Sequence, residues 1–63
     1  MTYISSSAIR AVDYHWSSGR LTIYFHSSGG YTFYRVPVEV YNGLVSSSSP
    51  GSYYNSYIRG RYR

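Results

Sequence analysis

The run Leu21-Thr22-Ile23-Tyr24-Phe25-His26, held between the turn clusters Ser17-Ser18-Gly19 and Ser27-Ser28-Gly29-Gly30, decides how this chain is read. Its residues alternate. Leu21, Ile23 and Phe25 fall on one side of an extended strand and Thr22, Tyr24 and His26 on the other, which is the pattern of a sheet with a single buried face. Upstream, Ile9 to Trp16 reads as a strand whose apolar residues Ile9, Val12 and Tyr14 miss strict alternation, which places a bulge near Arg10 and Ala11. Downstream, Tyr31 to Val36 is rich in aromatic and β-branched residues, and the short Ser/Gly loop before it makes a hairpin with the central run.

At Pro37 the period changes. Val36, Val40, Tyr41, Leu44 and Val45 recur at helical spacing, and proline is tolerated in a first helical turn. Gly43 inside this segment costs a helix about 1 kcal/mol relative to alanine. Ser46 to Ser49 reads as a tight connection, because Ser49-Pro50-Gly51 is a helix-start signal. From Ser52 onward, Tyr54, Ile58, Arg61 and Tyr62 share one helical face, while Tyr53 and Tyr57 stack on another. The chain is expected to end in a helix tipped with Arg59, Arg61 and Arg63, near the negative end of its dipole. The expected fold is therefore α+β in a single domain over residues 1–63. A three-stranded antiparallel β-meander is followed by two short α-helices packed on one face.

Composition narrows the function classes. A chain of 63 residues is too short for a doubly wound nucleotide fold or a closed eight-stranded barrel. Hydrophobic residues make up 43%, but ten of them are tyrosines, so several tyrosine rings must serve as core. With no cysteine there is neither a disulfide staple nor a thiolate zinc site. The start, MTYISSSAIR, has no basic leader, and no run reaches the length of a membrane helix; a soluble, cytoplasmic protein is the expectation. All six cations are arginines and only Asp13 and Glu39 oppose them, for a net charge of +4. Guanidinium holds phosphate bidentately and stacks on ring faces, so an anionic partner is the first expectation. The competing account is a solubilising surface in an arginine-biased genome.

Catalysis finds little support. Two carboxylates and two histidines are few for general acid–base work, serine fills 13 positions so that some serine near a histidine is expected by chance, and no nucleophile-elbow or phosphate-loop spacing is present. His15 and His26 lie on neighbouring expected strands but lack a third metal ligand. No catalytic residue, metal or cofactor is expected. The richer constellation is Asn55 with Arg59, four residues apart, beside the Tyr53-Tyr54 pair and close to Arg61 and Arg63. It can grip a phosphate or a base edge; equally, Asn55 braces the preceding loop and Arg59 pairs with Glu39 or Asp13. Tyr24, Tyr31, Phe33 and Tyr34 lie on adjacent strands, so the parity facing away from the helices presents rings as a stacking platform. Tyr24 is the first candidate for exposure and Tyr34 the next. The same rings serve equally as core, or bury one another across a homodimer.

The order of these motifs resembles the KTSC domain, a module of about this length named for its occurrence at the C-terminus of some lysyl-tRNA synthetases and found also as free-standing bacterial and phage proteins. The likeness runs through Ser6-Ser7, Ile9, Val12 and Tyr14, Leu21-Thr22-Ile23-Tyr24-Phe25 and Gly30-Tyr31-Thr32-Phe33. It continues through Val36-Pro37, Val40-Tyr41, Leu44, Ser49-Pro50-Gly51-Ser52-Tyr53-Tyr54-Asn55, Ile58-Arg59 and Tyr62. The family's Tyr-x-Tyr stands here as Tyr31-Thr32-Phe33, one hydroxyl short, and its Val-Gly-Tyr-Asp as Val12-Asp13-Tyr14-His15. The resemblance implies an RNA-binding role. The leading expectation is a non-catalytic nucleic-acid-binding module, for RNA, using arginine for phosphates and tyrosine for stacking. Two others stand beside it: a phage-encoded protein that sequesters a small signalling nucleotide, and a module that binds a host or viral protein. A homodimer or higher homo-oligomer is compatible with each.

Overall fold

The alternating residues of the central run form the middle of an antiparallel sheet in the computed structural model, which describes residues 2–4 and 6–62. Four strands are present: β1 Thr2–Tyr3, β2 Ile9–His15, β3 Arg20–Phe25 and β4 Gly29–Phe33, in the order β1-β2-β3-β4. They are followed by helix α1 Val38–Ser46 and helix α2 Pro50–Tyr53, the latter running straight into a π-helical turn, Tyr54–Ile58. The class is α+β as expected, with one strand more than the sequence pattern indicates. β1 is only two residues long, too short to show a period.

The irregular spacing of Ile9, Val12 and Tyr14 has the expected cause. Register runs Ile9↔Phe25 and then Ala11↔Tyr24, so Arg10 is an inserted residue. That bulge keeps Ile9, Val12 and Tyr14 on the side of Leu21, Ile23 and Phe25 although their spacing is three and then two. The third expected strand, Tyr31 to Val36, is displaced. It starts at Gly29, whose φ of 81° closes a short hairpin loop, and stops at Phe33. Beyond it Arg35 takes a φ of 59°, which turns the chain toward α1. Val36 is thereby held in the connection, its N–H donating to the Gly19 carbonyl at 2.9 Å and its carbonyl accepting from the Tyr14 hydroxyl at 2.7 Å.

Helices cover one side of the sheet. Ile9, Val12, Leu21 and Ile23 meet Val36, Leu44 of α1 and Ile58 at the end of the π-turn in one buried cluster. Each such side chain contributes about 1.5–3 kcal/mol by leaving water. Tyrosines complete the core as expected: Tyr14, Tyr41, Tyr53, Tyr54 and Tyr62 pack against it half-buried. Tyr14 stacks on Tyr41 of α1 with ring centres 4.5 Å apart, and Tyr54 meets Phe25 and Phe33 edge-on at 5.1 and 5.9 Å. The last helix does not reach the end of the chain. It closes at Ile58 through the Arg59 N–H to Tyr54 carbonyl bond of a π-turn, after which Arg59 is extended and Gly60 has a φ of 77°. Among the described residues no helix is long and apolar enough to cross a membrane.

Candidate nucleic-acid interface

Register sorts every strand side chain onto one of two faces, because residues directly opposite in an antiparallel pair share a face. Ile23 pairs with Tyr31 and Leu21 with Phe33, so Tyr31 and Phe33 belong to the helix-covered face. Phe33 packs against the core and Tyr31, at its rim and 51% exposed, meets Phe25 edge-on at 5.7 Å. Parity divides the four candidate rings, with Tyr31 and Phe33 on the helix-covered face and Tyr24, the first candidate for exposure, on the open one. Of the four, Tyr24 alone is a strand residue of the open face. Tyr34 lies past the end of β4, 56% exposed.

The open face carries a row that crosses all four strands: Tyr3, Ala11, Tyr24 and Gly30. Small residues separate the two rings. Ala11 is only 1% exposed and lies outside the core cluster, as expected for a small side chain flanked by larger ones on the outer face. At Gly30 a Cβ would come within 2.9 Å of two Tyr24 ring carbons, so the ring takes the space a side chain on β4 would fill. Tyr24 is half-buried, its ring lying over Gly30. Tyr3, at 77% exposure, extends the row to the sheet edge.

Along the strands from this row, Thr22 and Thr32 hydrogen-bond through their hydroxyls at 3.1 Å, and Asp13 opposes Thr22. His15, on the same face, stands 3.8 Å from the Asp13 carboxylate and opposite Arg20 in the register. Arg10 and Arg20 are both exposed. The second histidine is occupied elsewhere, its Nε2 being 2.9 Å from the Ser6 carbonyl. No group of three metal-ligating side chains occurs among the described residues, and they enclose no pocket. What they offer is a surface.

The C-terminal constellation is assembled differently from its expected form. Arg59 Nη1 donates to Asn55 Oδ1 at 3.5 Å, a long contact, and both residues are exposed. Arg61 Nε donates to the Ser56 carbonyl at 3.3 Å and its N–H to the Ile58 carbonyl at 3.0 Å, so this arginine caps the helix end. Tyr53 and Tyr57 do meet, with centres 4.6 Å apart, but tilted by 38° and not stacked, while Tyr54 is committed to the aromatic cluster beneath the helix. Arg63 lies outside the described residues. Three exposed rings, Tyr3, Trp16 and Tyr57, were not among the expected site residues. A two-residue strand hides the parity of Tyr3, and Trp16, 80% exposed, sits in the β2–β3 turn and not at the end of the strand.

Comparison with known proteins adds family to geometry. The sequence profile of the KTSC domain matches residues 5–62. A protein of Tsukamurella paurometabola is 33% identical over 63 residues, covering all of this chain and 94% of that protein. A lysine–tRNA ligase of Nostoc punctiforme is 32% identical over 57 residues, which are 90% of this chain but 10% of the ligase. The crystal structure of a KTSC domain protein from Yersinia pestis superposes with a TM-score of 0.95 at 27% identity, over 98% of this chain and 87% of that one.

Proposed function

The chain belongs to the KTSC domain family, and from that membership and the open face of its sheet we propose that it is a non-catalytic module binding single-stranded RNA. The row Tyr3–Ala11–Tyr24–Gly30 carries this reading, because it sets rings on the face that the helices leave uncovered. Bases stack on such rings for about 1–3 kcal/mol each with little sequence preference. The arginines supply phosphate contacts, and Arg20 stands at the end of the same face. A match to a segment of a lysine–tRNA ligase supports RNA as the nucleic acid.

The test is fluorescence anisotropy with labelled oligouridylate across a salt series. Saturable binding whose log–log salt slope is about −0.7 for each phosphate contacted is the expected result. Tyr24→Ala weakens it by roughly tenfold, the lower part of the range for one stacked base. Absence of saturable binding to any single strand contradicts the reading. Tight binding of one mononucleotide, or of a protein, in place of the strand would move the function to nucleotide sequestration or protein contact.

A further inference from the structure

One corner of the molecule is built for more than closing a hairpin. The β2–β3 turn and the β4–α1 connection are clasped together by the Val36 N–H to Gly19 carbonyl bond of 2.9 Å. Gly19 has a φ of 70°, and a Cβ on it would come within 3.1 Å of Val36 N and 3.2 Å of Arg35 Cα, so no other residue fits the clasp without strain. The clasp brings four exposed side chains, two aromatic rings and two guanidinium groups, to the same end of the sheet: Trp16 from the turn, Arg20 at the start of β3, and Tyr34 and Arg35 from the connection. Trp16, at 80%, is the most exposed large apolar side chain described. Arg35, among the described residues, is the non-glycine residue with a positive φ, held there because Val36 is pinned through both its N–H and its carbonyl. Strained backbone of this kind survives where its surroundings over-determine it, and it concentrates at binding sites.

We propose that this corner is a second contact for a nucleic-acid strand: a base stacks on Trp16, and Arg35 with Arg20 takes the adjoining phosphates. The inference rests on the reading of the open face as a single-strand platform, and adds where the strand leaves it. Arg20 and Tyr24 are on the same face of β3 four residues apart, about 13 Å at 3.3 Å per residue. Rings at both ends of that path, with guanidinium groups at one, match a stretch of single strand and not an isolated base. Charge selects the occupant, since two guanidinium groups beside exposed rings fit a phosphodiester and repel a basic partner.

Trp16 is the sole tryptophan among ten tyrosines, so emission excited at the red edge of the indole band, beyond tyrosine absorption, reports on this corner. The probe is oligouridylate of about 12 nucleotides, within the site sizes of single-strand binders, followed in parallel by anisotropy of a labelled copy. Quenching of Trp16 that tracks the anisotropy curve is expected, with Trp16→Ala weakening binding roughly tenfold. Arg35→Gly suits the left-handed backbone, so its circular dichroism spectrum and melting temperature are retained while the salt slope becomes shallower by about 0.7. Anisotropy that saturates with unchanged Trp16 emission and unaltered Trp16→Ala affinity overturns the corner and leaves the platform standing. No anisotropy change at all overturns both. Trp16 quenching by protein concentration alone, without RNA, makes the corner a contact between copies of the chain and also overturns the proposal.

Discussion

Gly43 sits inside α1, where alanine is the better helix former by about 1 kcal/mol. Propensity alone therefore makes Gly43→Ala stabilising. A Cβ there would lie 2.5 Å from Tyr53 Cζ and 2.8 Å from Cε2, an overlap whose relief costs about 1–3 kcal/mol. Packing prevails over propensity, and Gly43→Ala is expected to lower the melting temperature by several degrees; an unchanged or raised value would show that Tyr53 swings away at no cost. Asp13 supplies a prediction on binding. Among the described residues its carboxylate is the acidic group of the open face, between the Tyr24 row and Arg20. Asp13→Asn is expected to tighten oligouridylate binding at low salt, with the gain fading as salt rises. A weaker complex would mean that the carboxylate orders the face and does not repel the strand. At this scale, sequence parity alone put Tyr24 on the open face. It could not place Tyr31 and Phe33, because that required knowing that Gly29 and Gly30 belong to β4 and that Ile23 is opposite Tyr31.

Elements were legible where they repeat a period and obscure where they are short or irregular. β2 and β3 follow from alternation, and the bulge at Arg10 was readable because Ile9 and Val12 break that alternation in the direction a single inserted residue requires. β1 has no period to read, and its pairing Tyr3↔Ala11 is a long-range contact that sequence pattern does not report. The π-turn likewise left no mark. Helical spacing put Asn55 and Arg59 on one face, and they do meet, but the wider turn ends the helix at Ile58 and converts Arg61 from a terminal charge into a cap on Ser56. Arg61→Ala is accordingly expected to cost about 0.5–1.5 kcal/mol, the worth of one such hydrogen bond. Arg59→Ala, which removes only a long and exposed contact to Asn55, should stay within about 0.5 kcal/mol. Chemical denaturation distinguishes the two, and equal losses would contradict the assignment of the cap to Arg61.

As a whole molecule, the chain divides its aromatic residues between two tasks. Most rings on the helix side supplement a small aliphatic core, whereas Tyr3 at the sheet edge and Trp16 and Tyr34 at the β2–β3 corner face water, as do Tyr31 and Tyr57 at the rim of the helix side. Charge follows neither face alone: Arg10 and Arg20 belong to the sheet, Arg35 to the connection, and Arg59 and Arg61 to the C-terminal turn. A net charge of +4 spread in this way favours an anionic partner without fixing its position, so in the proposed function the rings are what would decide where a strand settles. Amide chemical shifts of the isotope-labelled protein, followed by two-dimensional NMR during titration with oligouridylate, locate that place residue by residue. The open-face reading predicts shifts at Tyr3, Ala11, Thr22, Tyr24 and Gly30, with those of Leu44 and Val45 in α1 unmoved. Shifts confined to α1 and the C-terminal helix would contradict it.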